Sequence, residues 1–559
     1  MKVCLLYKDR DTERWSEGTY FDEESILQDL GLKALFQAAG KKLIREGGEV
    51  KRVDKEDPWL VDTMKKVMMV PLVTKEEIEY RQAVLKDCFQ QEELLRGLYR
   101  LSDETLQAWN MLGRSAVERS QKRNPVTRLA DDIRWLRLFC DSLSEIRQLL
   151  TAENPETGKP RHEAFQSEGF RAFCRRFQAA FSPEREGSLR RILEGVSFFT
   201  DGETEKEEGQ SLEGWTVRPR IVLECGLEDG LKFSSLKLVE VASERMRYYR
   251  HGSTMKKLQE FRYSAMPNSF SAEKDPKLIE QAKLLEYEAV RYVIEKAAPG
   301  MKEDFQSFFD QLKRQTAFYL GAIHIRDHMA FMWMDLCFPE VSGRETLEFQ
   351  ELRELVMGIE RRVNVVGNTC ALNGKDLLIV TGANQGGKST FLRSIGIAQV
   401  MMQCGLPVAA KRFRSAIYPR LFAHFTRRED ASMNSGRLDE ELNRMNRIVE
   451  QIGEGSLLLL NESFATTTEK EASVIAYDIT KALNEARVKI LMVTHLLSFA
   501  QRVYEEEKDD PQSRVEFLSA ERKPNGDRTF RMIQKAPDMT SFGLDLYEEI
   551  VEKRINLGT

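Results

Sequence analysis

The sequence predicts a multidomain protein: a core of long helices carrying a small β-rich insertion, followed by a C-terminal α/β unit built on a parallel sheet. Three observations predict it. Apolar residues recur at helical spacing from 58 to 195 and again from Pro276 to Phe338. Between those stretches, from about residue 196, the pattern shortens to that of strands. Finally, Leu377–Thr390, LLIVTGANQGGKST, joins a buried apolar strand to a helix through a glycine-rich turn.

At 559 residues the chain exceeds what one core can bury. The composition shifts divide it into 1–60, an N-terminal segment; 61–195, helical; 196–275, β-rich and then basic; 276–340, helical again; and 341–559, the α/β unit. With 42% hydrophobic and 31% charged residues and a net charge of −5, the chain has the balance of a soluble protein, and local basic patches are not excluded. No apolar run approaches the roughly 18–20 residues that cross a bilayer. The start, MKVCLLYKDRDTERW, has early acids and no cleavable apolar segment, so a cytoplasmic location is expected. The eight cysteines are scattered with no C-x-x-C pair, and His324 and His328 are separated by Arg326 and Asp327 rather than set in H-E-x-x-H. A reduced protein without a metal cluster is expected.

Val3–Tyr7 reads as a short strand and Glu23–Glu46 as one helix stopped by Gly47-Gly48. Helical spacing from Met64 to Leu101 breaks at Pro71, and a further helix spans Ala130–Leu150. Val196–Thr200, Trp215–Glu224 and Leu231–Val241 read as strands. The stretch after them mixes cations (Arg245, Arg247, Arg250, Lys256, Lys257 and Arg262) with Tyr248, Tyr249 and Tyr263, a pattern suited to phosphate contact and base stacking, or equally to a solvated face over packed tyrosines. In 341–559, strands are expected at Ala416–Phe425, Ser456–Leu460, Val488–Thr494, Val515–Glu521 and Arg528–Gln534, the last two as a hairpin turning at Asn525-Gly526. Helices are expected from Thr390 to Gly405 and at Leu438–Ile452, Glu469–Ala486 and Ser498–Glu507.

Four groups of residues carry chemistry. Gly382, Ala383, Asn384, Gln385, Gly386, Gly387, Lys388, Ser389 and Thr390 form G-x-x-x-x-G-K-S-T. Glycines let backbone N–H groups approach phosphate oxygens, Lys388 supplies a cation, and the Ser389 hydroxyl can ligate Mg²⁺. The second group is SLLLLNES, Ser456–Ser463, a buried strand that delivers polar residues at its C-terminal end. There Glu462 can activate an attacking water. Asn461 stands where an Asp usually holds Mg²⁺; its amide oxygen can accept from a metal-bound water but brings no negative charge, so weaker Mg²⁺ dependence and slow turnover are expected. Third, Thr494-His495 ends another apolar strand, placing a histidine where it can sense a γ-phosphate. Fourth, Ser435 and Gly436 open a helix, a second anion site that matters most if it meets phosphates on a neighbouring subunit. Val365–Asn368 is the candidate for contacts to a base.

On these residues the C-terminal part resembles the ATPase domain of the MutS family of DNA mismatch-repair proteins, an ABC-type P-loop ATPase. The family's G-P-N-M-G-G-K-S-T appears as GANQGGKST, its Asp-Glu pair as Asn461-Glu462, its Thr-His switch as Thr494-His495, and its signature helix as NSGRLDEELNRM. The closing RTFRMIQKAPDMTSFGLDLYEEIV is similar to the family's last strand, turn and helix. Upstream, PLVTKEEIEYRQAVLKD is similar to P-L-x-x-x-x-E-I-x-x-R-x-x-A-V, which makes 61–340 resemble the lever and clamp domains.

Three departures stand out. Asn461 replaces the aspartate; FATTTEKEA lacks the glycines of G-R-G-T-S-T; and a mismatch-reading domain is not expected. Phe-x-Glu occurs at Phe21, Phe338 and Phe349, but thirty phenylalanines in a glutamate-rich chain make that unremarkable. The resemblance implies a dimeric ATPase that uses ATP and Mg²⁺ and couples nucleotide to clamping of DNA, double-stranded or branched, in mismatch repair or a related transaction. The alternative is a nucleotide-gated interaction protein with weak ATPase activity, acting on a protein or ribonucleoprotein partner. A small-molecule kinase does not explain the long helices, and no N-K-x-D motif supports a GTPase.

Overall fold

The computed structural model describes residues 2–8, 23–46, 49–53, 55–120, 125–153, 158, 160–196, 215–228, 232–247, 290–292, 294, 301–383, 385–426, 437–523 and 527–537. In chain order the strands are β1 (Leu43–Glu46), β2 (Glu49–Val53), β3 (Trp215–Glu228), β4 (Lys232–Arg247), β5 (Glu340–Val341), β6 (Leu347–Leu352) and β7 (Asn368–Ala371). They continue as β8 (Leu377–Thr381), β9 (Arg412–Ser415), β10 (Leu421–Phe425), β11 (Leu457–Asn461), β12 (Lys489–Val493), β13 (Val515–Arg522) and β14 (Arg528–Gln534). The result is a mixed α/β protein.

The chain divides into two compact units. One comprises Met1–Val3, Arg96–Phe165 and Phe170–Arg314; the other comprises Cys4–Leu95, Gln166–Gly169 and Gln315–Thr559. The first unit is mainly helical, with the helices Pro125–Thr151 and Pro183–Val196 and the long antiparallel hairpin β3–β4. Its core is aromatic: Trp109 lies 3.9 Å from Trp135 and stacks 4.8 Å from Phe305, centroid to centroid. Such ring pairs contribute about 0.5–1.5 kcal/mol beyond their area. Arg245 and Arg247 fall at the end of β4, in register with Val217 and Trp215. Arg250, Lys256, Lys257 and Arg262 lie outside the described residues, as do 197–200 of the expected strand Val196–Thr200, whose Val196 instead closes a helix.

The second unit carries two mixed sheets, one of four strands ordered β5-β9-β6-β7 and one of six ordered β10-β11-β12-β8-β13-β14. In the larger sheet β10, β11, β12, β8 and β13 are parallel, so their carboxyl ends share one edge, and β14 closes antiparallel on β13. Every residue of β8, β10 and β12 is buried, as expected for strands covered on both faces. Leu458, Leu460, Ile490, Met492 and Phe422 anchor its core cluster. Each such side chain contributes about 1.5–3 kcal/mol when fully buried.

Several boundaries differ from the sequence reading, each for a local reason. Val3–Tyr7 is not a strand: the Leu5 and Leu6 amides donate to the Gln315 side-chain oxygen at 2.6 and 3.1 Å, so a side chain rather than a ladder satisfies them. Glu23–Glu46 is not one helix but two, Glu23–Asp29 and Leu32–Ala39, followed by β1. Gly31, at φ 68°, turns the chain in the left-handed region that glycine enters without strain. Of the expected strand Ala416–Phe425 only Leu421–Phe425 is a strand, β10; β9 ends before it at Ser415, in the other sheet, and Pro419 in the connection cannot donate to a ladder. The helix expected to reach Phe338 ends at Phe331, where Trp333 turns at φ 55°.

Candidate site at the carboxyl edge of the larger sheet

The site begins with β8. At its end Gly382 (φ 110°) and Gly387 (φ 90°) turn the chain into the helix Lys388–Gln403, which Gly387 caps. A side chain at Gly382 is blocked twice over, by that φ and by the Ala520 amide nitrogen, 2.9 Å from where a Cβ would stand. The helix is buried on nearly every face, so its N-terminus is fixed in place. Its far end is tied down as well: Leu72 N donates to Gln403 O at 2.7 Å, and Arg81 Nη1 to Cys404 O at 3.2 Å, a cation on terminal carbonyls.

Lys388 is only 4% exposed. Its ammonium donates to Gly382 O at 2.8 Å and to Ala383 O at 2.9 Å. Burial drives its pKa down to about 8, against the opposing pull of the Glu462 carboxylate. An anion delivered to this loop would therefore meet a cation with depressed proton affinity and restore it.

Glu462 follows β11 at φ 57°, a costly conformation for a residue with a side chain. Its amide donates to Val493 O at 2.9 Å, tying it to β12, and its Oε1 lies 3.0 Å from His495 Nε2. That hydrogen bond is the main influence holding the Glu462 carboxyl below the usual carboxylate range; burial opposes it, and His495 and Lys388 add attraction. Thr494 N donates to Val380 O at 3.1 Å, so the ends of β8, β11 and β12 are pinned together.

Two buried atoms at this edge, Thr381 Oγ1 and Asn461 Oδ1, have no hydrogen-bond partner among the described residues. Unpaired buried acceptors cost free energy unless a further group reaches them. Asn461 Oδ1 at the end of β11 and the Ser389 hydroxyl are oxygen donors, the chemistry that suits a hard cation such as Mg²⁺ that retains its waters. Among the described residues there is no group of three or more His, Cys, Asp or Glu that could hold a metal ion.

A cavity of about 590 Å³ adjoins the loop, lined on one side by Gln385, Gly386, Gly387, Lys388, Ser389 and Thr390 together with Glu462. Its far wall is apolar, with Met357, Val363, Val365 and Val366, and β14 adds Arg528 and Phe530. Arg528 Nη1 donates to Gln385 Oε1 at 3.0 Å, and Asn368 joins β7 to β14 by accepting from Met532 N at 2.8 Å and donating to Phe530 O at 3.3 Å. The structure thus gathers Gly382, Ala383, Gln385–Thr390, Asn461, Glu462 and His495 at one edge. Asn384, Ser435 and Gly436 lie outside the described residues. Sequence reasoning missed Arg528 and Phe530, because only the pairing of β13 with β8 and β14 brings them to the loop.

The class is thus an α/β protein in which a glycine-rich loop, a buried lysine and a carboxylate–histidine pair meet at the carboxyl edge of a parallel sheet. The family model described as MutS domain V matches residues 378–551, and that described as MutS2 N-terminal domain matches 73–204. Endonuclease MutS2 of Streptococcus thermophilus is 28% identical over 264 residues, covering 44% of this chain and 32% of the relative. Endonuclease MutS2 of Carboxydothermus hydrogenoformans is 27% identical over 269 residues, covering 47% and 34%. MutS protein homolog 4 of Mus musculus is 31% identical over 133 residues, covering 24% and 14%. The chain belongs to the MutS family. It matches about a third of the length of these MutS2 relatives.

Proposed function

We propose that this chain is a P-loop ATPase of the MutS (ABC) type that couples ATP binding to the clamping of DNA. The observation that carries the reading is the convergence of Lys388 and its loop with the Glu462–His495 pair on adjoining strand ends. ATP is the substrate. Gly382–Thr390 hold its phosphates, with Lys388 as the neutralising cation and the helix N-terminus behind them. The apolar wall of Val363, Val365 and Val366 receives the base. Glu462, ionised at neutral pH, accepts the proton of the attacking water, while His495 orients that carboxylate and senses the γ-phosphate. Ser389 directly, and Asn461 through a water, would hold Mg²⁺, which when bound neutralises charge on the phosphates. A second copy contributes Ser435 and Gly436, so the active form is a homodimer.

The helical segments 61–195 and 276–340 act as lever, and the hairpin β3–β4 with its basic continuation (Arg245, Arg247, Arg250, Lys256, Lys257, Arg262) as clamp. DNA binding there rests on phosphates and weakens steeply with salt. A second reading, a nucleotide-gated interaction protein with weak ATPase acting on a protein or ribonucleoprotein partner, is favoured by Asn461 in place of an aspartate. Filter binding of homoduplex, mismatch, four-way junction and RNA, with ATP or ADP, tests both. Nucleotide-dependent retention of DNA supports the first; retention of none of the DNAs in any nucleotide state overturns it.

A further inference from the structure

The turn that carries Glu462 is unusual in being strained twice without a glycine. Glu462 stands at φ 57° and Phe464 at φ 68°. Each such residue costs on the order of 1–3 kcal/mol and persists only when its surroundings over-determine it. Here they do. Phe464 is fully buried in the sheet's core cluster and stacks on the His424 ring, 5.9 Å between centroids with planes 22° apart. Ser463 Oγ donates to His424 O at 2.9 Å.

The remaining ties lead to one carboxylate. Glu441, on the helix Arg437–Gln451, is 7% exposed. Its Oε2 accepts from Thr466 Oγ1 at 2.7 Å, and its Oε1 lies 3.3 Å from Thr426 Oγ1. Its main-chain oxygen is 3.2 Å from His424 Nε2. Thr426 has a single hydroxyl hydrogen, and its oxygen is 2.6 Å from the main-chain oxygen of Glu462. That hydrogen can be given to only one of three acceptors: the Glu462 carbonyl, the Glu441 carboxylate, or the Asn461 carbonyl, which is farthest at 3.4 Å. At the distances found it goes to Glu462, the nearest acceptor, and helps hold the left-handed turn.

We propose that Thr426 is a positioning residue for Glu462, and that Glu441 is the rival acceptor through which the helix Arg437–Gln451 controls the carboxylate. With the helix where it stands, Thr426 secures the turn and Glu462 is held against His495. A shift of the helix toward Thr426 that closes the difference between 3.3 and 2.6 Å would draw the hydroxyl to the Glu441 carboxylate and release the Glu462 carbonyl. The strained turn would then relax and carry the carboxylate out of line. The inference rests on the ATPase reading and adds to it a regulator of the same site.

The test uses the full chain and separates binding from turnover. Affinity is read with a fluorescent ATP analogue and turnover as single-turnover ATP hydrolysis, for wild type, Glu441→Gln, Thr426→Val, Thr426→Ser and the Glu441→Gln/Thr426→Val pair. A misplaced catalytic group typically costs one to two orders of magnitude, so a roughly ten- to hundredfold slower hydrolysis with affinity within about threefold of wild type is expected for Thr426→Val, whereas Glu441→Gln, which weakens the rival acceptor, should hydrolyse at the wild-type rate or faster. Thr426→Ser, which keeps the hydroxyl, should restore the rate. The double variant should match Thr426→Val, because Glu441 reaches Glu462 only through that hydroxyl; an effect of Glu441→Gln that persists without the hydroxyl would be independent of it. A wild-type rate in Thr426→Val overturns the inference, as does a Glu441→Gln protein slowed as much as Thr426→Val. If wild type itself neither binds nor hydrolyses ATP, the ATPase reading falls, and this inference with it.

Discussion

Oε1 of Glu462 lies 3.0 Å from Nε2 of His495, across the ends of β11 and β12, and this contact does more than any other to keep the Glu462 carboxyl ionised at neutral pH. Two residues 33 positions apart in the chain are thereby held as one unit. A carboxylate so held is ready to accept a proton, and a histidine so held has one face committed and the other free to respond to a neighbour. Replacing Glu462 by Gln should slow ATP hydrolysis by about a hundredfold or more while leaving ATP affinity nearly unchanged. His495→Ala should slow it less and shift the acid limb of the pH–rate profile upward, since the hydrogen bond that lowers the Glu462 pKa is gone. A pH-resolved hydrolysis assay checks both; an unmoved acid limb would contradict the pairing.

Lys388 gives a second pH signature, on binding rather than rate. Its pKa is depressed to about 8 by burial. Phosphate favours the ammonium form, so below about pH 8 the group is already charged and affinity is insensitive to its titration. Above that pH, binding must take up a proton, and affinity should fall by up to about tenfold per unit. Titrations of ATP from pH 7 to 9.5 should show that bend, and Lys388→Met should bind weakly with no bend. A flat wild-type profile would contradict the assignment.

Asn461 supplies a third. Its Oδ1 is buried and has no partner among the described residues. Asn461→Asp would place a charge there, which costs about 1–3 kcal/mol or more unless a cation meets it. The variant should therefore melt lower than wild type in chelator, recover with Mg²⁺ and ATP, and hydrolyse faster at limiting Mg²⁺. Equal melting shifts and equal rates in both proteins would remove Asn461 from the metal's surroundings.

A fourth concerns the frame. Arg444 Nη2 lies 3.3 Å from Asp29 Oδ2, both nearly fully buried, and the same carboxylate oxygen accepts from Phe425 N at 3.2 Å on β10. Breaking a buried ion pair by removing one partner costs about 3–5 kcal/mol. Asp29→Ala should lower the denaturant midpoint accordingly; a change below 1 kcal/mol by the same principle would show that water reaches the pair.

The parts of this fold that were legible from sequence are those whose signal is local. Leu377–Thr381 and Leu457–Leu460 read as strands because a parallel strand covered on both faces is an unbroken apolar run. The glycine-rich turn and the helix after it are contiguous, so spacing alone locates Lys388. What eluded the sequence was tertiary. Leu43 and Ile44 fit a helical stripe, yet pair with Val53 and Arg52 as β1–β2, because Gly31 ends one helix early and Gly40 caps the next. Thr426, Glu441 and Thr466 are unremarkable residues until β10, a helix and the turn after β11 bring them together. Phe464 at φ 68° has no sequence signature at all; its burial holds a conformation that a glycine would otherwise supply.

The most direct measurement is calorimetric titration of Mg²⁺-ATP into the full-length protein, side by side with Lys388→Ala. The account predicts saturable binding by wild type and a loss of at least about tenfold in affinity when the buried ammonium is removed, as expected for a charge-assisted contact. Equal affinity in the two proteins, or no heat from either, would contradict it.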